Sequence, residues 1–244
     1  MTKDELKKIN TIKDKYYMKP ILKRTHSYID EKGLKETFNY MYEILTNSRE
    51  DVEKLLVKRK ENGEIKDIPQ TRKSVAGAAF SNLLVYLFLQ AKQKNLVRED
   101  IFISDNGRNK MFENMVTINV DGETQKPDMD IIIYTKNEDA SIKKIIIISL
   151  KTSLRERAGQ TYKWKLLLEI ATTDNEIKDK YNISYNVTKM PIVCFATVNF
   201  YDEINNPQHR GMFKFFDNSF IGKPLKASFI NNLSDLIAYS NKEL

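Results

Sequence analysis

The chain has 244 residues, of which 41% are hydrophobic, and it includes 12 Phe and 12 Tyr. It is long and apolar enough to bury a large core, which excludes a disordered protein. Its 40 Lys and Arg outnumber its 33 Asp and Glu, and the net charge of +7 favours an acidic partner such as nucleic acid. The single cysteine, Cys194, excludes an intrachain disulfide and a zinc site built from cysteines alone.

The first part of the chain predicts helices, because apolar residues recur there at helical spacing. Residues 1–70 are expected to form a helical N-terminal region, with a separate subdomain as one alternative, ahead of a core that spans residues 71–244. This N-terminus lacks the apolar core of a signal peptide, and no apolar run approaches the roughly 20 residues of a membrane span. The sequence therefore predicts a cytoplasmic protein without a membrane partner.

A long apolar helix is predicted over residues 75–93. Gly77 and the two alanines after it keep its first turns slim, so we expect it to pack closely on another element, as the central helix against a sheet.

Strand patterns dominate after residue 100, interrupted by two further helical patterns at 160–171 and 232–239. The predicted strands are residues 101–104, 115–120, 130–134, 142–151, 190–199 and 211–216. Helices before and within a set of strands predict an α/β layered fold.

The segment 126–169 contains a candidate catalytic site on two strands joined by a polar turn. Asp128 and Asp130 share one face of the first strand, and Ser149 and Lys151 share one face of the second, because side chains alternate across a strand. An antiparallel hairpin of this length places Asp128 beside Lys151 at the end of a sheet. A carboxylate that holds Mg²⁺ and a lysine that polarises water or phosphate are the groups that metal-assisted phosphodiester cleavage requires.

Candidate DNA-contacting residues follow directly. Arg155, Glu156 and Arg157 stand between the second strand and the next helix, where arginine forks can meet guanine edges and a glutamate can accept from cytosine N4. Arg210 lies in a predicted polar loop between two apolar strands and is a weaker candidate for a base contact.

These residues resemble the PD-(D/E)XK nuclease fold, and they are most similar to type II restriction endonucleases that read CC and GG in sites such as CCGG. The resemblance covers residues 126–169 and implies a central mixed sheet flanked by helices. It implies that Asp128 binds the metal, that Lys151 is the catalytic lysine, and that Arg155, Glu156 and Arg157 read bases. Ser149 takes the position of the first acid of the motif, as in that group, and is counted with the catalytic residues.

The resemblance also implies Mg²⁺ as cofactor, double-stranded DNA as substrate, a homodimer on a palindromic site, and a functional link to a cognate DNA methyltransferase. The second metal-binding acid stays open. Glu169 on the following helix is the first choice, Asp130 the second and Glu113 the third, because the helix over 75–93 contains no acid. The alternatives to a restriction enzyme are a structure-specific repair or mobile-element nuclease, and a catalytically inactive DNA-binding protein on the same fold.

Overall fold

The structure, a computed structural model, describes residues 1–107, 109–154, 158–187 and 190–244, with the backbone alone at 158–160. The helices of this part of the chain are α1 (Lys3–Asp14), α2 (Met18–Lys32), α3 (Leu34–Thr37), α4 (Met41–Asn47), α5 (Arg49–Glu61), α6 (Ile68–Gln93), α7 (Lys110–Val116), α8 (Ala158–Thr172), α9 (Glu176–Lys180), α10 (Pro207–Phe213) and α11 (Asp235–Glu243), with 3-10 turns at Phe38–Tyr40 and Glu203–Asn205. The strands are β1 (Phe102–Ser104), β2 (Ile118–Val120), β3 (Glu123–Gln125), β4 (Ile131–Lys136), β5 (Ile142–Lys151), β6 (Ile183–Ser184), β7 (Ile192–Thr197), β8 (Asn218–Ile221) and β9 (Asn231–Asn232).

A six-stranded sheet lies at the centre of the fold, in the order β1-β4-β5-β7-β8-β9. β1, β4 and β5 pair antiparallel, whereas β5, β7, β8 and β9 pair parallel. A smaller antiparallel sheet has the order β3-β2-β6. The central sheet is therefore mixed, and together with the helical N-terminal region it confirms the predicted α/β fold.

The side chains of β5 alternate between two hydrophobic cores. Ile146 and Ile148 face the core that the N-terminal helices and α6 form, whereas Ile145 and Ile147 face the core that α7, α8 and α10 form. All four are at most 2% exposed. Because both faces of β5 are covered, the strand is a continuous β-branched run and not an alternating one.

α6 is the central helix of the first core, and it begins at Ile68, earlier than the predicted start at residue 75. Asp67 caps it by accepting a hydrogen bond from Gln70 N–H. Ala79 is buried, but Gly77 is exposed, and a Cβ added to it would meet no atom within 4 Å. The expectation that Gly77 allows close packing inside the chain is therefore wrong, because that face of the helix is open.

Among the described residues, α6 is also the one helix that is long and apolar enough to cross a membrane, which corrects the expectation that no such run exists. In its most apolar window, 67% of the residues are buried inside the fold. A core helix against a sheet meets the same criterion of length and composition, so the burial accounts for its apolar character.

One predicted strand begins too early, and another is wrong. In the region 115–120, α7 continues to Val116 and the strand begins only at Ile118. In the region 211–216, α10 continues to Phe213 and β8 follows from Asn218. Val116 and Phe213 both point into the core beneath α8, and a short apolar run buries equally well as a helix end or as a strand.

The helices of residues 1–70 share one hydrophobic core with the rest of α6 and with the sheet. A buried ion pair joins Lys92 of α6 to Glu5 of α1 at 2.6 Å, and a buried hydrogen bond joins Asn39 to Ser234. The division into 1–70 and 71–244 remains a prediction.

Candidate active site

The β4–β5 hairpin fixes an acidic side chain at one end of the central sheet. Asp130 directly precedes the ladder, whose first pair is Ile131 with Ile148. Asp130 Oδ2 accepts a hydrogen bond of 2.8 Å from Leu150 N–H. The carboxylate thereby serves as the acceptor for a strand N–H at the end of the ladder, which holds it in one position.

Lys151, the last residue of β5, lies between two carboxylates. Its Nζ is 2.8 Å from Asp128 Oδ2 and 3.2 Å from Asp130 Oδ2. The lysine side chain is 11% exposed, whereas those of Asp128 and Asp130 are 54% and 36% exposed. The ammonium is thus nearly enclosed while the carboxylates stay accessible, and the net charge of −1 on the three groups favours a further cation.

These groups line a cleft of about 1240 Å³ between the sheet and the N-terminal helices. One wall comes from α4, α5 and the first turns of α6. The other comes from residues 105–107 and 109, the segment 126–130 and the end of β5 with residues 152–153. The candidate site therefore sits on one wall of a groove whose opposite wall is helical.

Gly107 supports the segment that contains the two aspartates. A Cβ built on Gly107 would lie 2.3 Å from the carbonyl oxygen of Met129 and 2.6 Å from its Cβ. Met129 stands between Asp128 and Asp130, so the backbone at Gly107 packs directly against the residues that present both carboxylates. Only glycine fits this approach.

The donor set at this position fits Mg²⁺. Two carboxylates whose oxygens both reach Lys151 Nζ provide the hard oxygen ligands that this ion prefers. Among the described residues no group of three or more His, Cys, Asp or Glu side chains could hold a metal. A magnesium ion here would take its remaining ligands from water and phosphate oxygens, which is its usual mode of binding in phosphate-processing sites.

Glu169, the first choice for the second acid, lies elsewhere. Its Oε1 is 3.4 Å from Lys165 Nζ, and Lys165 also binds Asp217, which accepts a hydrogen bond from Val193 N–H. Val193 pairs with Ile147, whereas Lys151 pairs with Thr197. The strand rise of about 3.3 Å per residue therefore puts this group about 13 Å from Lys151 along the sheet.

The physical reason is the direction of α8. The helix runs back along the sheet away from the end of β5, so each successive turn takes its side chains farther from Lys151. The geometry favours Asp130 over Glu169 as the partner of Asp128.

Glu113, the third choice, lines the same cleft but is engaged by Lys126. The hydrogen bond from Lys126 holds the pKa of Glu113 below its usual value. Glu113 is thus an ionised carboxylate at the rim of the cleft, on α7.

Ser149, which was predicted among the catalytic residues, is covered by helix α8. It is fully buried, and its Oγ is 3.0 Å from Thr161 Oγ1 of α8. It shares a strand face with Lys151, but α8 covers it, so the hydroxyl joins helix to sheet and does not line the cleft.

Arg155, Glu156 and Arg157 lie outside the described residues. Arg210 is on helix α10 and not in a loop, and its guanidinium carbon lies 6.0 Å from the centre of the Phe229 ring. Arg210 does not line the cleft.

The sequence matches the family described as BsaWI restriction endonuclease type 2 over residues 106–241, more than half of the chain. The chain belongs to this family. The match to the BsaWI family includes Asp128, Asp130 and Lys151, whereas α1–α6 precede it.

A curated relative is the putative type II restriction enzyme MjaVIP of Methanocaldococcus jannaschii, which is 42% identical over 64 residues. The aligned region is 26% of this chain and spans 28% of the relative's length. Both comparisons support the predicted resemblance to type II restriction endonucleases.

Sequence reasoning missed two features of the site. The contact of Gly107 with Met129 joins residues from different loops, and a single glycine in a polar segment carried no signal for it. The helical wall of the cleft was missed because Arg49, Arg72 and Lys73 lie in ordinary charged helix sequence. The period-two spacing of Asp128 and Asp130 was the available signal for the paired carboxylates.

Proposed function

We propose that this protein is a Mg²⁺-dependent type II restriction endonuclease that hydrolyses both strands of duplex DNA at a short palindromic site. The observation that carries the proposal is the Lys151 ammonium, 2.8 and 3.2 Å from the carboxylates of Asp128 and Asp130, on the wall of a cleft. Membership of the BsaWI family supports this reading over a structure-specific repair or mobile-element nuclease.

The three side chains divide two tasks in this reaction. Asp128 and Asp130 would hold the cation, and the hydrogen bond from Leu150 N–H keeps Asp130 in place for it. The Lys151 ammonium donates a hydrogen bond to the attacking water or to a phosphate oxygen, which stabilises the charge that builds up at phosphorus. Bound Mg²⁺ supplies a Lewis acid and a water of lowered pKa. The attacking water releases a proton to solvent as its oxygen bonds to phosphorus, the bond to the leaving sugar oxygen breaks, and that oxygen takes up a proton from solvent.

Cleavage of supercoiled plasmid with Mg²⁺ and with EDTA tests the proposal. Asp128→Ala, Asp130→Asn and Lys151→Ala should each lower the rate by at least about 100-fold. Glu169→Gln is the matched carboxylate control and should cut like the parent, because Glu169 pairs with Lys165 away from the cleft.

Binding to duplex DNA in Ca²⁺ buffer separates lost chemistry from lost folding. All four variants should still retard DNA in a gel, since the substitutions leave the rest of the cleft intact. A parent protein that binds DNA but never cuts it would instead support an inactive DNA-binding protein on this fold. Normal cutting by Asp130→Asn together with loss of cutting by Glu169→Gln would return the metal-binding role to Glu169.

Specificity for CC and GG is assigned in this proposal to Arg155, Glu156 and Arg157. They follow Ser153, which lines the cleft, within a few residues of chain. A bidentate arginine–guanine contact discriminates by about 1–3 kcal/mol. Arg155→Ala or Arg157→Ala should therefore weaken binding to the mapped target far more than binding to random duplex. A mapped target made only of A·T pairs would contradict the assignment.

The same proposal includes a homodimer, because a two-fold dimer presents one recognition unit to each half of a palindrome. It also includes a cognate DNA methyltransferase that protects host DNA, and a cytoplasmic location. Sedimentation of the protein with and without a palindromic duplex tests the dimer.

A further inference from the structure

The two walls of the cleft carry opposite charge. The helical wall presents the cations Arg49, Arg72 and Lys73 against the single carboxylate of Glu53. The sheet wall presents four carboxylates, those of Asp105, Glu113, Asp128 and Asp130, against two lysines, Lys126 and Lys151. A metal ion suits the sheet wall, and an anion suits the helical wall.

Ion pairing leaves two of the three cations on the helical wall in excess. Arg72 is bound to Glu53 by a fork, with Nε 2.7 Å from Oε2 and a second bond from Nη2 to Oε1. The hydrogen bond from Arg72 lowers the pKa of Glu53, and the nearby charge of Arg49 contributes to the same shift. Glu53 therefore stays ionised and neutralises Arg72. Arg49 and Lys73 are exposed, and no ion pair within the described ranges includes either of them.

Gly77 lies one helical turn after Lys73 and leaves a gap in the helical wall of the cleft. Glycine lowers helix stability relative to alanine, so a glycine inside a helix requires a packing or functional explanation. Packing against the described residues does not require glycine here, because an added Cβ would meet no atom within 4 Å. Gly77 lines the cleft between buried Val75 and Ala79, so the absence of a side chain leaves space in the cleft for a bound ligand.

We infer that Arg49, Lys73 and Gly77 form a second DNA-contact surface, which holds the sugar–phosphate backbone of the duplex opposite the Asp128–Asp130–Lys151 site. The inference rests on the proposed function and extends it to α5 and α6, which lie before the region matched by the family. The two arguments for a phosphate backbone are charge complementarity and the continuity of this wall with the candidate site through one cleft. Because the sugar–phosphate backbone is the same in every duplex, contacts to it act alike on all sequences.

The test compares the double variant Arg49→Ala/Lys73→Ala with Lys54→Ala/Lys58→Ala. The control removes the same charge from exposed positions of α5 that do not line the cleft. Dissociation constants for a random duplex in Ca²⁺ buffer are measured over a series of salt concentrations. Each lost phosphate contact lowers the slope of log K against log salt by about 0.9, so the cleft variant should lose about 2 units and the control less than half of that.

Gly77→Leu provides a second, independent variant. Leucine favours the helix over glycine, and its Cβ would meet no atom within 4 Å, so the melting temperature should not fall. The bulky side chain should block the backbone and weaken binding by about 10-fold or more on every duplex.

Equal slopes for the cleft variant and the control, with Gly77→Leu binding like the parent, would overturn the inference even if the parent cuts DNA. A parent that cuts no plasmid, together with the predicted loss of slope, would overturn the nuclease proposal and leave the DNA-contact surface standing.

Discussion

Replacing Gly107 by alanine should disable the candidate site without unfolding the protein. The new Cβ would lie 2.3 Å from the carbonyl oxygen and 2.6 Å from the Cβ of Met129. Carbon atoms in contact are about 3.5–4.0 Å apart, so one of the two backbone segments must move by about 1 Å. Met129 lies between Asp128 and Asp130, and the movement passes directly to both carboxylates.

Catalytic groups must be held within about 0.5 Å, and a misplacement of about 1 Å costs roughly 100-fold in rate. We therefore expect single-turnover plasmid cleavage by Gly107→Ala to be about 100-fold slower than by the parent. DNA binding in Ca²⁺ buffer should change little, because the helical wall of the cleft is untouched. Gly211→Ala in α10 is the control, since its added Cβ meets no atom within 4 Å. Cleavage by Gly107→Ala within about threefold of the parent rate would show that the backbone at Gly107 moves aside freely and does not position the aspartates.

Three further predictions concern a buried ion pair, a buried thiol and a partly buried tyrosine. Lys92→Met leaves the buried carboxylate of Glu5 without its ion-pair partner and should lower the free energy of unfolding in urea by about 3–5 kcal/mol. The double variant Lys92→Met/Glu5→Gln should recover part of this loss. Equal stability of the single and double variants would refute a charge-pair role. Burial raises the pKa of the Cys194 thiol, so it should not react with a thiol reagent at pH 8 until the protein unfolds, and rapid labelling of the native protein would contradict this. Burial and a hydrogen bond to Glu43 raise the pKa of Tyr28 to about 12, so between pH 10 and 12 the folded protein keeps a proton that the unfolded chain loses. The free energy of unfolding should fall as the pH rises through this range, and Tyr28→Phe should reduce that fall in a series of urea titrations.

Local patterns in the sequence were sufficient to predict the hairpin that carries the candidate site. Continuous β-branched runs before and after a polar turn predict two paired strands, and the structure pairs them antiparallel from Ile131 with Ile148 onward. The period of two then places Asp128 and Asp130 on one face of the hairpin, with Lys151 beside them on the neighbouring strand. The information is local, because strand alternation and a short turn leave few alternatives for which side chains meet at the hairpin end.

The choice between Asp130 and Glu169 depended on the tertiary structure. Nothing in the residues after Lys151 states in which direction α8 leaves the sheet, and that direction decides whether Glu169 approaches Lys151 or recedes from it. The predicted strand at 115–120 began too early, and the one at 211–216 was wrong, for a related reason. Their apolar residues are buried by α8 and its neighbours. A short apolar run can be buried in this way either as the end of a helix or as a strand, so its composition does not distinguish the two.

The sequence by itself determined the mixed α/β fold, the β4–β5 hairpin and the meeting of Asp128 with Lys151, because each depends on the pattern of residues near one another in the chain. The tertiary structure alone decided which second acid lies beside Lys151, the approach of Gly107 to Met129 and the opposite charges of the two cleft walls. Each of these joins side chains or backbone from separate elements, such as α5 and α6 with the end of β5. Such contacts depend on how whole helices and sheets pack, and no local pattern of residue types encodes that packing.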